Sequence, residues 1–331
     1  MPAETKNSTL SPSLVGKQSD SLREAFGKAL SDLADSDEKI VVLDSDVAGG
    51  TGAHHFRTRH PDRFIQCGIA EQNMVGVASG IAHRGLKPFA TTFAVFMLRA
   101  LEQIRLSVAY SNMNVKLVAS HPGLDVGPDG ASAQCLEDLA CMRAIPGMVV
   151  LSPCDALEVA AATKALASYE GPAYMRTGRS PCPNLYDSEP DFVIGKGRVI
   201  RKGRDVTLIG CGVMTYRAFA AAEMLAANGI EAGVVHMPTI KPIDRALLEE
   251  LASETSLVVT CEDHNVTGGL GSAVAEVLSE SARVPQRRIG VNEVIGTSGE
   301  PDELAKLYGL DTESLYQSVY RMVRESQNEA T

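Results

Sequence analysis

The sequence has no apolar run long enough to cross a membrane. Its 331 residues are 44% hydrophobic, but no stretch approaches the roughly 18 uninterrupted apolar residues that a transmembrane helix needs. Residues 1–20 are polar and also lack the apolar segment of a secretory signal. We therefore expect no membrane partner, and we expect residues 1–20 to form a flexible N-terminal arm.

Basic clusters and cysteine pairs are missing as well. The net charge is −10, and no basic block occurs that could follow a phosphate backbone, which argues against nucleic acid as a partner. The seven cysteines are odd in number and never occur in a Cys-x-x-Cys spacing, so neither cysteine-bound zinc nor a redox pair is indicated. We expect reduced thiols and a cytoplasmic protein.

The length exceeds that of one typical domain and predicts two. In the region 21–179, helical and strand patterns alternate with short turns between them. This alternation is typical of a parallel sheet that is covered by helices on both faces. The predicted helices are 22–33, 71–84, 95–109, 134–144 and 154–168, and the predicted strands are 40–43, 88–92, 115–119, 148–151 and 172–176.

A segment with three prolines and no periodicity, 180–195, is predicted to be a linker. Region 196–331 then reads as a second, smaller α/β domain. Its predicted strands are 205–209, 231–236, 256–261 and 286–291, and its predicted helices are 215–228, 244–252 and 270–282. The predicted fold class is α/β, with two domains that are each a mostly parallel sheet flanked by helices.

One short motif places a carboxylate at the start of a predicted helix. Glu71 lies in Gly68-Ile-Ala-Glu-Gln-Asn-Met74, and small and apolar residues form the inner face of the helix that follows. In such a poorly solvated layer, desolvation favours the protonated carboxyl. Phe93 and Phe96 follow after one strand length and offer two faces for a flat ring. A lone Glu in a first turn is usually explained by the helix dipole, but the combination indicates a pocket for a heterocycle.

The block 62–74, Asp-Arg-Phe-Ile-Gln-Cys-Gly-Ile-Ala-Glu-Gln-Asn-Met, resembles the signature of the transketolase family, which deoxyxylulose phosphate synthases also carry. The resemblance implies that Glu71 is the catalytic residue and hydrogen bonds N1′ of the pyrimidine of thiamine diphosphate, which activates the cofactor. It also implies that Phe93 and Phe96 stack around that ring.

Other candidate residues lie in loops that follow predicted strands. Asp46 comes after the strand 40–43, and the resemblance places its loop beside the cofactor ring. By the same resemblance, His121 belongs to the channel for the sugar phosphate and Asp129 contacts the acceptor hydroxyl. Arg176, at a strand end, suits a bidentate grip on phosphate or carboxylate, although it could equally pair with a surface acid. The resemblance favours the anion-binding role for Arg176. Arg179 is a weaker candidate for the same task.

The sequence departs from the family at Ala133, where related enzymes have a His that contacts the donor. Two glycine clusters, Gly210-Cys-Gly212 and Gly268-Gly-Leu-Gly271, do not complete a dinucleotide-binding pattern. The resemblance implies that the second domain, including His264, is mainly structural and supports assembly.

A Gly-Asp-Gly motif followed by asparagines, which holds the Mg²⁺ and diphosphate in this family, is absent. The resemblance covers residues 20 to 327, yet it corresponds only to the pyrimidine-binding and C-terminal domains. We expect no metal ligands from this chain, and we expect a partner, the N-terminal diphosphate-binding subunit, to supply the Mg²⁺ ligands. The resemblance also implies that pyrimidine domains pair about a two-fold axis, which predicts an α₂β₂ assembly with contact between the β subunits.

The leading hypothesis is the β subunit of a split transketolase, which transfers a two-carbon ketol unit from a ketose phosphate to an aldose phosphate. A second hypothesis is the β-type subunit of a 2-oxo acid decarboxylating enzyme that forms acyl or acyloin products, since Ala133 removes a ketose-specific contact. A third is a noncatalytic scaffold subunit that has kept the fold.

Overall fold

A computed structural model describes residues 19–281 and 283–329. Within these ranges the strands are β1 (Ser19–Ser21), β2 (Ile40–Asp44), β3 (Phe64–Gln66), β4 (Lys87–Phe93), β5 (Lys116–Ser120), β6 (Val149–Leu151), β7 (Ala173–Thr177), β8 (Pro181–Pro183), β9 (Arg198–Arg201), β10 (Val206–Gly210), β11 (Ala232–His236), β12 (Thr239–Lys241), β13 (Val258–Asn265) and β14 (Gln286–Val291).

The α-helices of the same ranges are α1 (Leu22–Leu33), α2 (Ala48–Thr51), α3 (His54–Arg59), α4 (Glu71–His83), α5 (Ala94–Met97), α6 (Leu101–Gln103), α7 (Asp138–Ala144), α8 (Ala156–Ser168), α9 (Met214–Ala227), α10 (Arg245–Glu254), α11 (Leu270–Ser281), α12 (Pro301–Leu307) and α13 (Thr312–Glu329). Segments of 3₁₀-helix occupy Pro61–Arg63, Leu98–Ala100 and Leu124–Asp129, and Ile104–Tyr110 is π-helical. None of the described helices is both long and apolar enough to span a membrane.

Among the described residues, the larger sheet has seven strands in the order β12-β6-β7-β5-β4-β2-β3. All neighbouring pairs are parallel except β12 with β6. The central strands β2 and β5 are buried along their whole length and consist mainly of apolar residues. This composition is typical of parallel strands, because helices cover both faces of their sheet. The predicted fold class is confirmed.

The smaller sheet of the described residues has five strands in the order β14-β13-β10-β11-β9, and only β9 is antiparallel to its neighbour. Strand β12 follows β11 in the chain but pairs with β6 of the larger sheet. The largest apolar cluster also runs across both sheets, from Leu43 and Leu117 to Val235 and Leu278. The two sheets therefore share a core, which the predicted division into domains did not include.

The predicted arm and linker meet in the structure. Residues 1–18 of the arm lie outside the described residues. Ser19 and Asp20 belong to β1, which pairs antiparallel with β8 of the predicted linker. The prolines of β8 are tolerated because a two-stranded ribbon has free edges at which a missing N–H costs no hydrogen bond. Within the predicted linker, β8 is a three-residue strand that belongs to neither of the two larger sheets.

The predicted helix 95–109 is not one α-helix. The chain passes through α5, a 3₁₀ turn, α6 and the π-helical segment. Its apolar face is nevertheless continuous, formed by Ala94, Met97, Ala100, Ile104 and Val108. Apolar spacing of three or four residues reports which face is buried, and it does not distinguish the hydrogen-bond patterns of these helix types.

The predicted helix 134–144 begins only at Asp138. Cys135 is held extended by a backbone bridge to Gly123, so it cannot join the helix. Elements that the sequence analysis did not predict are β1, β3, β8, β9, β12, α2, α3, α12 and α13, and all of them except α13 are short.

Leu117 tests the shared core, because it lies fully buried in β5 within the largest apolar cluster. We expect Leu117→Ala to lower the free energy of unfolding by about 2–5 kcal/mol, since it leaves a cavity among close-packed side chains. Urea unfolding of the isolated chain measures this. The matched control is Leu307→Ala, whose side chain is largely exposed in α12, and similar losses in both variants would contradict the assignment of Leu117 to the core.

Candidate functional site

Glu71 is the first residue of α4 and is only 4% exposed. The preceding turn passes through Gly68 at a φ of +69°, where a side chain is disfavoured. Met74, Val75 and Ala78 are buried on the same helix, as the sequence predicted for its inner face. Among the described residues, no hydrogen bond or ion pair reaches the Glu71 carboxylate. Because buried polar groups are normally satisfied, this carboxylate is one that a ligand can use.

Phe96, Phe93 and His121 form a run of stacked rings. The centroids of Phe93 and Phe96 are 5.5 Å apart with planes 11° from parallel, and those of Phe93 and His121 are 3.8 Å apart at 19°. Gly50 is required beside them, since a Cβ there would lie 2.5 Å from the Phe93 ring. The two phenylalanines come from the end of β4 and from α5, so they are neighbours across a strand end and not on one helix face.

A cavity of about 340 Å³ opens between Glu71 and Phe96. This volume suits a small heterocyclic ligand. Its walls are formed by Ser45, Asp46, Val47, Ile69, Glu71, Phe96 and Arg99. Carboxylate, aromatic ring and loop therefore meet in one concave site, as the sequence motif predicted for Glu71 and Phe96.

Asp46 lies exposed in the loop after β2 and has a φ of +69°. Its N–H donates to Oε1 of Gln66 at 3.0 Å. Beneath it, Asp44 is buried and accepts hydrogen bonds from the N–H of Val47 at 2.9 Å and from Thr91 at 3.2 Å. Burial raises the pKa of Asp44 above its ordinary value. Asp44, which the sequence analysis did not single out, thus holds the loop that presents Asp46.

His121 is buried at the end of β5, and its Nδ1 lies 2.9 Å from Oγ of Ser120. Burial lowers the pKa of this imidazole to about 3, with further lowering by the charges of Arg23 and Arg179. His121 is therefore neutral at physiological pH. The two guanidinium groups beside it make this side of the site favourable for an anion.

Arg23 was not predicted from the sequence. It lies in the first turn of α1, and its Nη1 donates to the carbonyl of Gly50 at 3.2 Å. No local motif marks it, because its proximity to His121 arises only when α1 packs against the loop after β2. Gly27 and Gly52 permit that packing, since a Cβ on Gly27 would come within 2.0 Å of the Gly52 carbonyl oxygen.

Arg176 points away from the cavity into the protein. Its Nε and Nη2 donate to the two carboxylate oxygens of Asp138, each at 2.7 Å, and the Tyr174 hydroxyl donates to the same carboxylate at 2.5 Å. Arg176 also donates to the carbonyl of Asp263 at 3.2 Å. Despite burial, the Arg176 charge lowers the pKa of Asp138. This geometry favours the alternative in which the strand-end arginine pairs with an acid, and Arg179 remains as the other candidate for phosphate binding.

Asp129 is exposed at the end of the 3₁₀ segment Leu124–Asp129. The second sheet braces this segment: the carboxylate of Asp263 accepts the Leu124 N–H at 3.0 Å, and a Cβ on Gly130 would contact Ser298 at 2.3 Å. The second domain, expected to be mainly structural, thus also positions the loop that carries His121 and Asp129.

The backbone N–H groups of the glycine cluster at residues 268–271 already bind a side chain of the same protein. Oε2 of Glu262 accepts the Leu270 N–H at 2.7 Å, and Oε1 accepts the Gly271 N–H at 2.8 Å. Burial raises the pKa of Glu262 to about 7. A phosphate would have to displace this carboxylate, which supports the structural interpretation of the cluster and of the neighbouring His264.

A larger groove of about 630 Å³ lies between α1 and α8. It contains neither Glu71 nor the stacked rings, and its walls carry charged side chains of both signs, among them Lys28, Asp32 and Lys164. The volume of a groove does not by itself indicate a reaction. The smaller cavity is the candidate active site because its wall contains the Glu71 carboxylate and the Phe96 ring.

The electrostatics of His121 give a measurable expectation. We expect the His121 ring to stay neutral from pH 8 down to pH 5, because its pKa is lowered to about 3. Arg179→Met should raise that pKa, though not to the ordinary value of 6.5, because burial is the larger cause. Imidazole ¹⁵N chemical shifts measure both. Arg287→Met, in an exposed part of β14, is the control, and a His121 titration midpoint between pH 5 and 8 in the wild type would refute the analysis.

The pair Arg176–Asp138 gives a second expectation. We expect Asp138→Asn to lower the free energy of unfolding by about 3–5 kcal/mol, since it leaves a buried guanidinium without its counter-charge. Denaturant unfolding of the isolated chain measures this. In the control, Asp32→Asn breaks an exposed pair with Arg59 and should cost less than about 1 kcal/mol. A loss as small for Asp138→Asn would show that Arg176 is not held by this pair.

Comparison with known proteins agrees with this geometry. Residues 18–183 match the family described as the transketolase pyrimidine-binding domain, and residues 195–315 match the transketolase C-terminal domain. A Methanocaldococcus jannaschii protein, provisionally described as a transketolase C-terminal section, is 44% identical over 92% of this chain and 96% of its own length. A 6-deoxy-6-sulfo-D-fructose transketolase subunit of Clostridium sp. (strain MSTE9) is 39% identical over 91% of this chain and 94% of its own.

A solved structure described as a split-gene transketolase in an inactive β4 tetramer is 47% identical, with a TM-score of 0.86 over 92% of this chain and 98% of that one. Both domain matches, the two relatives and this structure agree on the family and on the part of it that is present. The chain belongs to the transketolase family and corresponds to the C-terminal section of a split transketolase, the section that contains the pyrimidine-binding and C-terminal domains.

Proposed function

We propose that this chain supplies the pyrimidine-binding half of a thiamine diphosphate site and acts as the β subunit of a split transketolase. The observation that carries the proposal is the Glu71 carboxylate, which belongs to a buried residue at the cavity wall and forms no hydrogen bond among the described residues. A hydrogen bond to a charged group is worth about 1.5–3 kcal/mol. A ring nitrogen of the cofactor would supply such a bond.

The residues around the cavity fit an aminopyrimidine. Glu71 would hold a proton at the ring nitrogen, and Phe96, with Phe93 stacked on it, offers an apolar flat wall that excludes water. Asp46 would border the ring from the loop after β2. When bound, thiamine diphosphate supplies the nucleophilic carbon that takes up the two-carbon unit.

The substrate side of the proposal rests on the charges near His121. Neutral His121, with Arg23 and Arg179 beside it, would receive the phosphate of a sugar through charge-assisted hydrogen bonds. Exposed Asp129, in the loop that Asp263 holds in place, would accept a hydrogen bond from a substrate hydroxyl. Arg176 would act indirectly, by fixing β7 and therefore the position of Arg179.

The reaction proposed is transfer of a two-carbon ketol unit from a ketose phosphate to an aldose phosphate. The sulfosugar named for the Clostridium relative indicates that chains of this kind serve different sugars, so the donor and acceptor have to be found by assay. Ala133, partly buried in the loop after His121, supports a second candidate, decarboxylation of a 2-oxo acid, because a donor without a ketose hydroxyl would not need a polar side chain there.

We further propose that a diphosphate-binding subunit completes the site and supplies the Mg²⁺ ligands, in an α₂β₂ assembly. The sequence lacks the Gly-Asp-Gly motif, and the inactive form named for the structural relative contains only β subunits. Ile69 next to the cavity and Tyr110 on the π-helical segment are more than 80% exposed, and a partner that covers them would bury apolar surface.

The decisive experiment reconstitutes the chain with the N-terminal section of a transketolase, thiamine diphosphate and Mg²⁺. We expect turnover of ketose phosphates and no turnover by either subunit alone. Glu71→Gln should lower kcat by about 10²–10⁴-fold, because the variant cannot exchange a proton with the ring nitrogen. Coupled assays of aldose formation measure kcat and KM for each donor.

The matched control is Glu223→Gln, an exposed position on α9, which should leave kcat unchanged. Turnover of 2-oxo acids but not of ketose phosphates would select the second candidate. Undiminished activity of Glu71→Gln would contradict the proposal and support the noncatalytic scaffold.

A further inference from the structure

Three metal-ligating side chains converge on the surface outside the candidate active site. Glu24 comes from α1, and His54 and His55 form the first turn of α3. Nε2 of His55 lies 2.6 Å and Nε2 of His54 lies 3.9 Å from the same oxygen, Oε2 of Glu24. One ligand atom from each residue lies within 4.8 Å of the other two.

We propose that Glu24, His54 and His55 form a binding site for a Zn²⁺-type divalent transition-metal ion. Ligands of a tetrahedral ion at about 2 Å from it lie about 3.3 Å from one another. The observed separations of 2.6 and 3.9 Å from the Glu24 oxygen bracket that value. Side-chain rotations would therefore bring the three ligand atoms to coordination distances.

The donor set selects the class of ion. Two imidazole nitrogens and one carboxylate suit Zn²⁺, Co²⁺, Ni²⁺ or Cu²⁺, whereas Mg²⁺ prefers oxygen ligands. The absence of a Cys-x-x-Cys spacing argues only against cysteine-held zinc, so it does not conflict with this site. The site is also independent of the Mg²⁺ expected from the partner subunit.

The fold keeps these three side chains together before any ion binds. Helix α1 packs closely on the turn that precedes α3, where a Cβ on Gly52 would lie 2.0 Å from the Arg23 carbonyl oxygen.

Solvent access to the three ligands and the hydrogen bonds that support them determine the expected affinity for the metal ion. The side chains of Glu24, His54 and His55 are 32%, 34% and 29% exposed, so an aqueous ion can reach them and water can complete its coordination. Nδ1 of His54 is buried without a hydrogen-bond partner in the described structure. Because such second partners normally strengthen a metal site about 10–100-fold, we expect micromolar affinity.

The site also touches the candidate active site through one contact. Arg23, adjacent to Glu24, donates to the Gly50 carbonyl at 3.2 Å, and Gly50 faces the rings of Phe93 and His121. An ion held between α1 and α3 would tie together the two segments that flank this loop. Metal binding by itself is independent of the proposed transketolase activity, so the test uses the isolated chain.

The test is calorimetric titration of the tag-free, reduced full chain with Zn²⁺, and with Mg²⁺ for comparison. We expect one Zn²⁺ per chain and a Tm that rises with Zn²⁺ concentration, since the ion binds the folded state. The double variant His54→Asn/His55→Asn should weaken Zn²⁺ binding at least about tenfold. His83→Asn, an exposed histidine at the end of α4, is the matched control and should bind as the wild type does.

Visible absorption of the Co²⁺-loaded chain identifies the ligands. We expect d–d bands without the thiolate-to-cobalt charge transfer that coordination by Cys67 or Cys141, the partly exposed thiols, would produce. Unfolding of each variant without metal checks that the fold is kept. Absent Zn²⁺ binding, unchanged binding by the double variant, or a thiolate signal would each overturn the proposal.

Discussion

The carboxyl ends of parallel strands meet at one edge of the larger sheet, and the candidate active site depends on this constraint. Strands β2, β4 and β5 are neighbours in register. The loop with Asp46, the aromatic pair and His121 follow these three strands in turn. Gly50 in the loop after β2 therefore faces the rings of Phe93 and His121, since neighbouring strands lie only about 4.8 Å apart. Glu71 joins them because α4 begins at the same edge, after β3.

The second domain contributes to the site by bracing it. Strand β12 extends the larger sheet, and the carboxylate of Asp263 accepts the backbone N–H of Leu124 behind the loop that carries His121. Asp125 in that loop accepts the N–H groups of Arg179 and Ser180, each through its Oδ2. The loop after β5 and the strand end with Arg179 are thus joined through partly buried hydrogen bonds, which are stronger than contacts between solvent-exposed groups.

Two buried charged residues differ in whether the protein itself supplies their hydrogen-bond partners. Arg176 has both carboxylate oxygens of Asp138 and a backbone carbonyl as acceptors. Glu71 has no partner among the described residues, although it is equally buried. A satisfied ion pair serves stability and position, whereas an unsatisfied carboxylate at a cavity wall is a group that can gain free energy from a ligand. This difference separates the structural residue from the proposed catalytic one.

The amino-acid sequence by itself determined the α/β class, most of the helices and strands, and the motif around Glu71, because these depend on local periodicity and on residues close together in the chain. Resemblance to the family pointed to Phe93, Phe96 and His121, and the structure brings their three rings together. The sequence could not determine that the helix after β4 is broken, that Arg176 pairs with Asp138, or that β12 joins the other sheet. Arg23 beside His121, and the cluster of Glu24 with His54 and His55, were likewise decided only by the tertiary structure. Each of these results depends on contacts between segments distant in sequence, and such contacts are fixed by packing of the whole chain and leave no local pattern.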